Sequence, residues 1–158
     1  MKYLYTSFVD FGTPAYEETV QLRDDILRKP LNLTFKEKDL RQEYKDYHLA
    51  CYNGYDELIG CLVLSPLEDG AIKMRQVAVT KKFQRKGIGM IMVYFSEVES
   101  YHLGFRKMEL NARDTAIPFY EKLGYQKTGR PFKEVTVKHY KMYKDLEAPP
   151  GFDPEDLV

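Results

Sequence analysis

The segment from Ala71 to Ala112 constrains the fold more than any other part of the chain. It has the pattern of a strand ("AIKMRQVAV"), a turn with two glycines, a helix, and a second strand ("KMELNA"). Neighbouring parallel strands need a crossover of a dozen or more residues, usually a helix, and that crossover is right-handed. No other part of the chain has this spacing. The sequence therefore predicts one parallel strand pair in a sheet that is otherwise antiparallel.

The first third of the chain predicts a strand, a helix and an irregular segment. Residues 2–9 have the composition of a strand. A helix is expected to begin at Pro14, with Thr13 as its N-cap, and to end at Pro30. Residues 31–46 are charged and weakly periodic, with room for one short helix. Long segments of this kind in small domains often cover a site, so this one is a candidate lid.

The remaining elements complete the predicted sheet. Two strand-like runs flank Asn53 and Gly54, which predicts an antiparallel hairpin. Further on, "DTAIPFYEKLGY" predicts a short helix with Asp114 or Thr115 as N-cap, and "EVTVKHYKMY" predicts the last strand. The predicted fold class is α/β, with a mixed, mostly antiparallel central sheet, one parallel βαβ pair and flanking helices.

Length and charge limit the classes of protein to consider. The 158 residues, 44% of them hydrophobic, suit one domain over residues 1–146, followed by an acidic, proline-containing surface tail over residues 147–158. Basic and acidic residues number 24 each, so no overall charge favours a nucleic-acid partner. We find no signal peptide and no apolar window long enough to span a bilayer. The expected location is cytoplasmic, without a membrane partner.

The two cysteines fit a reducing compartment. Cys51 and Cys61 lie in the two runs of the predicted hairpin. A three-residue loop would place them opposite each other, and a four-residue loop would place them on opposite faces of the sheet, so the register is left open. Free thiols are the expected state. No histidine lies at ligand spacing from them, and no metal site is predicted.

A cluster of cations lies between the predicted strand and helix of the crossover. Residues 81–86 hold four cations in six residues, and Gly87 and Gly89 follow. Unpaired N–H groups at the start of a helix attract anions, and glycines let a phosphate approach the backbone closely. Three further side chains can donate hydrogen bonds there, namely Gln84, Arg85 and Lys86.

The spacing of the glycines excludes two common phosphate-binding motifs. A dinucleotide fingerprint would need a third glycine where Met92 stands, and an ATP-binding loop would need Gly-Lys-Ser or Gly-Lys-Thr. The remaining pattern, "QRKGIG", resembles the Arg/Gln-x-x-Gly-x-Gly/Ala motif of the GNAT superfamily of N-acetyltransferases. "RQVAV" upstream and "LNARDTAIPFYEKLGY" downstream also resemble segments of that superfamily, as does the order of elements from Tyr3 to Leu146.

The resemblance implies acetyl-CoA as co-substrate. The backbone amides of residues 85–90 would hold its pyrophosphate. The strand that ends at Val79 would splay from the strand that ends near Asn111, and the pantetheine arm would lie between them. The cofactor-binding residues implied in this way are Val77, Ala78, Val79, Gln84, Arg85, Lys86, Gly87, Ile88, Gly89, Met90, Asn111 and Phe119.

The resemblance also suggests catalytic residues. Tyr120 occupies the position of a tyrosine that often protonates the departing thiolate, although the same residue could be a core aromatic of its helix. Many relatives carry a glutamate base on the strand before the motif, where Gln76 stands; an amide takes up no proton but could hold a water. The candidate bases, which the sequence does not rank, are Glu109, Asp114 and His48. Four other carboxylates are expected on a solvated face: Asp24, Asp25, Glu37 and Asp39.

The predicted function is transfer of an acetyl group from acetyl-CoA to a primary amine by direct attack. The acceptor is a small-molecule or peptide amine, contacted by two segments expected to be loops, residues 31–46 and 129–134. The alternative is a non-catalytic acyl-CoA sensor of the same fold, which the missing glutamate favours. The oligomeric state is left open, with a homodimer among the alternatives.

Overall fold

The computed structural model describes residues 3–134 and 136–151. Three predictions fall partly on other positions: Lys2 of the first strand, Val135 of the last strand and residues 152–158 of the tail lie outside the described residues. Among the helices that the structure does describe, none is long and apolar enough to cross a membrane.

Seven strands form one mixed sheet with flanking helices, as predicted. The elements, in chain order, are β1 (Leu4–Val9), α1 (Pro14–Arg23), α2 (Glu37–Arg41), β2 (Tyr47–Asn53), β3 (Leu58–Pro66), β4 (Ala71–Val79), α3 (Ile88–His102), β5 (Lys107–Arg113), α4 (Ile117–Lys122), β6 (Gln126–Glu134) and β7 (Val137–Asp145). The sheet order is β1-β2-β3-β4-β5-β7-β6. Helix α3 connects the neighbouring strands β4 and β5, which form the one parallel pair. The neighbours β1 and β2 are antiparallel, although α1 and α2 lie between them in the chain.

The chain forms two compact units. The first is built from Met1–Pro66 and Met74–Ser96, and the second from Leu67–Lys73 and Glu97–Val158. The single domain that the sequence predicts over residues 1–146 stays a prediction.

The hairpin of the first unit decides the arrangement of the cysteines. Cys51 lies opposite Gly60 and Cys61 lies opposite Ala50, with a register shift between Cys51 and Tyr52. Side chains alternate between the faces of a strand, so the two thiols are on opposite faces of the sheet. Both cysteines are buried and free.

Helix α1 begins as predicted and continues slightly further than predicted. The Thr13 Oγ1 accepts a hydrogen bond from the backbone N–H of Tyr16 at 3.2 Å, and Pro14 lies in the first turn. A π-helical turn over Asp24–Arg28 and a 3-10 turn over Lys29–Leu31 extend the helix beyond Arg23. The left-handed residue Asn32, with φ of 56°, then ends it.

Helix α3 leaves several of its large apolar side chains exposed. Three aromatic or aliphatic side chains at its surface, Met90, Tyr94 and Phe95, are exposed. Its buried residues are Ile88, Met92, Val93, Ser96 and Ser100. The small Ser96 and Ser100 let the helix pack closely, and the Ser96 hydroxyl is satisfied by the Val93 carbonyl at 2.7 Å.

Two sequence expectations about the second unit are wrong. Strand β6 includes residues 129–134, where a loop was expected; every residue of the strand is exposed, and its pairing with β7 defines it. Helix α4 has Ala116 at its N-cap position without a side-chain cap, because Asp114 and Thr115 belong to a preceding 3-10 turn.

Candidate active site

The loop after β4 is closed by one predicted site residue. The Gln84 Nε2 donates a hydrogen bond to the Val79 carbonyl at 2.9 Å, and the backbone N–H of Phe83 donates to the Thr80 carbonyl at 2.9 Å. The Nε2 of Gln84 therefore helps to shape the loop, and the role of Gln84 in binding the cofactor stays a prediction.

The end of this loop adopts left-handed backbone conformations. Arg85 has φ of 62° and Gly87 has φ of 80°. No atom lies within 4 Å of the position that a Cβ on Gly87 would occupy, so its α-carbon faces open space. Arg85 and Lys86 are exposed. Cations therefore surround a stretch of backbone that a ligand can approach closely.

The first turn of α3 supplies unpaired donors beside these cations. The backbone N–H of Ile91 donates to the Gly87 carbonyl at 3.1 Å, which is the first bond of the helix. The N–H groups of Ile88, Gly89 and Met90 consequently have no partner within the helix. A helix of 15 residues places partial positive charge at this end. These donors and the cations together suit a phosphate-bearing ligand.

The strand before the loop is irregular at Gln76. This residue has φ of 53°, in the left-handed region, although it lies within β4. Its Oε1 accepts a hydrogen bond from the Arg23 Nη1 at 2.7 Å. The next three residues, which were predicted to line the cofactor arm, differ in exposure: Ala78 is buried, whereas Val77 and Val79 are partly exposed.

Arg23 belongs to a buried polar network that the sequence did not reveal. Its Nη1 and Nη2 donate to the two carboxylate oxygens of Glu43 at 2.9 and 2.7 Å, and its side chain is 1% exposed. The Tyr16 hydroxyl donates to the same carboxylate at 2.7 Å. An arginine on the apolar stripe of α1 was the only sequence signal, since Glu43 lies among other charged residues.

Glu43 is not suited to act as the missing base. Burial, the largest single effect, opposes ionisation of its carboxyl, but the hydrogen bonds and charge of Arg23, together with the Tyr16 hydrogen bond and the charge of His48, lower its pKa below the ordinary value. Both of its oxygens already accept bonds from cationic or hydroxyl donors. The carboxylate therefore stays ionised and engaged.

The three candidate bases differ in burial and in their hydrogen-bond or ion-pair partners. The buried His48 has its Nε2 2.8 Å from the Glu43 carbonyl oxygen, while its Nδ1 is buried without a hydrogen-bond partner among the described residues. Glu109 pairs with Lys141 at 3.2 Å, and Asp114 is exposed in the turn before α4. Of the carboxylates expected on a solvated face, Asp25, Glu37 and Asp39 are exposed and Asp24 is partly exposed.

The second unit holds the remaining predicted residues. The Tyr120 ring packs edge-on against the rings of Phe119 and Tyr125, with centroids 5.0 and 5.7 Å apart. Burial raises the pKa of Tyr120 to about 12. The Asn111 Nδ2 donates to the Glu134 Oε2 at 3.1 Å, so this side chain bridges two strands. Tyr120 is thus a packed aromatic whose hydroxyl remains protonated at neutral pH.

The chain matches a known protein family over most of its length. The family model described as "Acetyltransferase (GNAT) domain" matches residues 20–146. The chain belongs to the GNAT acetyltransferases. It is 26% identical over 130 residues to the uncharacterized N-acetyltransferase YjcF of Bacillus subtilis, covering 82% of this chain and 91% of that protein.

Solved structures of GNAT-like proteins share the fold. A crystal structure of an N-acetyltransferase candidate from Lactobacillus plantarum has a TM-score of 0.81 at 24% identity, covering 92% of this chain and 100% of the other. A GNAT family acetyltransferase from Elizabethkingia anophelis, solved with acetyl-CoA bound, has a TM-score of 0.71 at 18% identity, with coverage of 92% and 100%.

The cysteines of this GNAT chain are poor nucleophiles. Burial raises the pKa of Cys51 to about 11 and that of Cys61 to about 12. The thiolate is the reactive form of cysteine, and very little of it exists at neutral pH with such values. An acyl group carried on either cysteine is therefore disfavoured, which leaves direct transfer as the simpler chemistry.

Proposed function

We propose that this protein transfers the acetyl group of acetyl-CoA to the primary amine of a small molecule or peptide. The observation that carries the proposal is the loop before α3, where left-handed Arg85 and Gly87 lead into a helix start with unpaired N–H groups. Membership of the GNAT family and a structural neighbour solved with acetyl-CoA support it.

The proposed binding mode uses the residues that the motif predicted. The amides of residues 85–90 and the side chains of Arg85 and Lys86 would meet the pyrophosphate. The backbone of Val77–Val79 would bind the pantetheine arm, and Asn111 and Phe119 are proposed as further contacts. The bound co-substrate supplies an acetyl thioester, whose carbonyl carbon accepts a nucleophile.

The proposed chemistry is direct attack by a neutral amine. A carbon–nitrogen bond forms, the carbon–sulfur bond breaks, and a backbone N–H near Val77 stabilises the negative charge that develops on the carbonyl oxygen. Tyr120 donates its proton to the departing thiolate and regains one from solvent. The proton lost by the amine passes to water, because Gln76 takes up no proton and its Oε1 already accepts a hydrogen bond from Arg23.

The proposed setting is the cytoplasm. Two buried, free cysteines suit a reducing compartment. A homodimer remains part of this proposal only as an alternative to the monomer, and light scattering of the purified chain at several concentrations separates the two.

The proposal is tested by measuring binding and turnover separately. Calorimetry with CoA should show saturable binding, and acetyl-CoA mixed with a panel of primary amines should release free thiol together with a product that is 42 mass units heavier, about the mass of an added acetyl group less one hydrogen. Binding without thiol release for any amine would favour the acyl-CoA sensor. Absence of CoA binding to the folded protein would overturn both functions.

A further inference from the structure

The buried network of the first unit determines which end of the Gln76 amide is available. Arginine carries N–H donors and no acceptor, so only the carbonyl oxygen of an amide can face it. The contact of 2.7 Å between the Arg23 Nη1 and the Gln76 side chain therefore identifies the oxygen as the bound atom. This chemistry fixes the orientation of the Gln76 amide. Its NH2 group is the end that does not contact Arg23.

Arg23 is itself held tightly. Its two Nη atoms bind both oxygens of Glu43, and Tyr16 donates a third hydrogen bond to that carboxylate. All three side chains are buried, with exposures of 1% for Arg23, 5% for Glu43 and 2% for Tyr16. A planar guanidinium bound in this bidentate way has one orientation, so rotation of the Gln76 amide would break its bond to Arg23.

The Gln76 NH2 group is a hydrogen-bond donor attached to a network without net charge. The charges of Arg23 and Glu43 compensate each other, and the Gln76 Nε2 makes no hydrogen bond to any described residue, although Gln76 is partly exposed. A donor of this kind is satisfied by a carbonyl or carboxylate oxygen. An alkylammonium has only donors to offer it, and a neutral alkylamine could accept its hydrogen bond only with the lone pair that must attack the thioester.

We propose that Gln76 selects acceptors in which a carbonyl or carboxylate oxygen lies beside the primary amine, as in amino acids, their amides and peptide N-termini. This inference rests on the proposed acetyltransferase function and refines its acceptor class. Gln76 binds the acceptor oxygen through Nε2, and Arg23 is a positioning residue that acts through Gln76. Simple alkylamines and polyamines leave the donor unsatisfied, which a site built around a polar group discriminates against.

The test compares two small probes, glycinamide and ethylamine, which differ by the carbonyl amide. The ratio of their kcat/KM values, each calculated for the neutral amine, is measured for the wild type and for Gln76→Glu. The carboxylate of the variant can keep one oxygen on Arg23 but presents an acceptor where the donor was. We expect a wild-type preference for glycinamide that falls at least about tenfold in the variant, mainly through KM.

Arg23→Lys is the second variant, and it separates positioning from folding. A lysine keeps the charge beside Glu43 but lacks the planar fork that also holds Gln76. The glycinamide preference should fall while kcat for ethylamine and the Kd for CoA stay within about threefold of wild type. Thermal melts and CoA binding of each variant show that it is folded.

Three results would overturn the inference. They are a wild-type enzyme without preference for glycinamide, an equal loss on both probes in Gln76→Glu, and acetylation of neither probe by a protein that acetylates other amines of the panel. Failure to bind CoA at all, or to release thiol with any amine of the wider panel, counts instead against the proposed function, so the two failures are distinguishable.

Discussion

At the scale of single residues, Tyr120 has the environment of a proton donor and not of a base. Burial raises its pKa to about 12, so its hydroxyl is protonated across the physiological range. A thiol such as that of CoA titrates near 8.5, like cysteine, which makes donation by Tyr120 uphill by more than the ordinary tyrosine value implies. Its contribution to the rate should therefore lie near the lower end of general acid catalysis.

Tyr120→Phe should lower kcat by roughly a hundredfold, because it removes the proposed donor and keeps the ring that packs on Phe119 and Tyr125. The Kd for CoA and the melting temperature should hardly change, and calorimetry and thermal melts check both. A kcat within about threefold of wild type would assign Tyr120 to packing alone.

Tyr125→Phe is the matched control for this variant. The Tyr125 hydroxyl donates to the Glu97 Oε2 at 2.8 Å, and the Lys144 Nζ lies 2.9 Å from the Glu97 Oε1. Loss of that hydroxyl should cost about 1 kcal/mol of stability and leave kcat unchanged. Tyr120→Phe should therefore lower kcat without lowering stability, whereas Tyr125→Phe should lower stability without lowering kcat.

Arg85→Ala should weaken CoA binding by roughly tenfold, because a charged hydrogen bond to phosphate contributes about 1.5 to 3 kcal/mol and an exposed one lies at the low end. Binding of pantetheine, which has no phosphate, should be unaffected. Lys38→Ala removes a cation from α2 that is exposed as well, and serves as the control. Equal losses for CoA and pantetheine would contradict the phosphate-loop assignment.

At the scale of elements, the position of α3 depends on Gly60, a glycine of strand β3. A Cβ on Gly60 would lie 2.5 Å from the Met92 Sδ and 3.2 Å from the Ala78 carbonyl oxygen. Met92 is on the buried face of α3, and Ala78 is on β4. Gly60 therefore allows the helix that begins at the phosphate loop to approach the sheet closely.

Gly60→Ala should destabilise the protein by about 1 to 3 kcal/mol through overpacking, and should weaken CoA binding because the start of α3 shifts. Urea denaturation and calorimetry measure the two effects. Gly54→Ala is the control, since its Cβ would make an ordinary 3.4 Å contact with Tyr3. Unchanged stability and CoA affinity in Gly60→Ala would show that Met92 moves aside without moving the helix.

At the scale of the whole molecule, the Arg23–Glu43 pair should make stability depend on acid pH. Burial, the largest single effect, raises the folded-state pKa of Glu43, but the hydrogen bonds and charge of Arg23 with the contributions of Tyr16 and His48 together hold this pKa below its ordinary value of 4.5. A carboxyl with a lowered folded pKa contributes stability that is complete above the unfolded value and is lost as pH falls through the folded value. The Arg23–Glu43 pair therefore stabilises the folded protein at neutral pH and loses this contribution in acid.

Glu43→Gln should reduce the free energy of unfolding at pH 7 by about 3 to 5 kcal/mol, since it leaves the buried Arg23 uncompensated. The difference from wild type should shrink as pH falls below about 4.5, because the carboxyl of unfolded wild type then binds protons, and it should level off once the pH is below the lowered folded pKa. Urea denaturation at several pH values measures this difference, which cancels the titration of other carboxyls. A difference that is constant from pH 7 to pH 3 would contradict the assigned ion pair.

Local features of the protein were determined by the sequence alone. Thr13 and Pro14 set the start of α1, the crossover spacing set the parallel pair, and "QRKGIG" set the loop with its left-handed Gly87. These features depend on interactions among residues close in the chain, such as helix caps, backbone conformations and connection lengths. Local chemistry of this kind is readable before any tertiary contact is known.

Only the tertiary structure decided the features whose partners are distant in sequence. Strand β6 has no alternating apolar pattern and exists through its pairing with β7, and the faces of Cys51 and Cys61 depend on a register shift in the hairpin. Gln76, Arg23 and Glu43 come from a strand, a helix and a charged segment, and burial brings them together. A buried charge is stable only with its partner in place, and sequence spacing alone does not specify which residue that partner is.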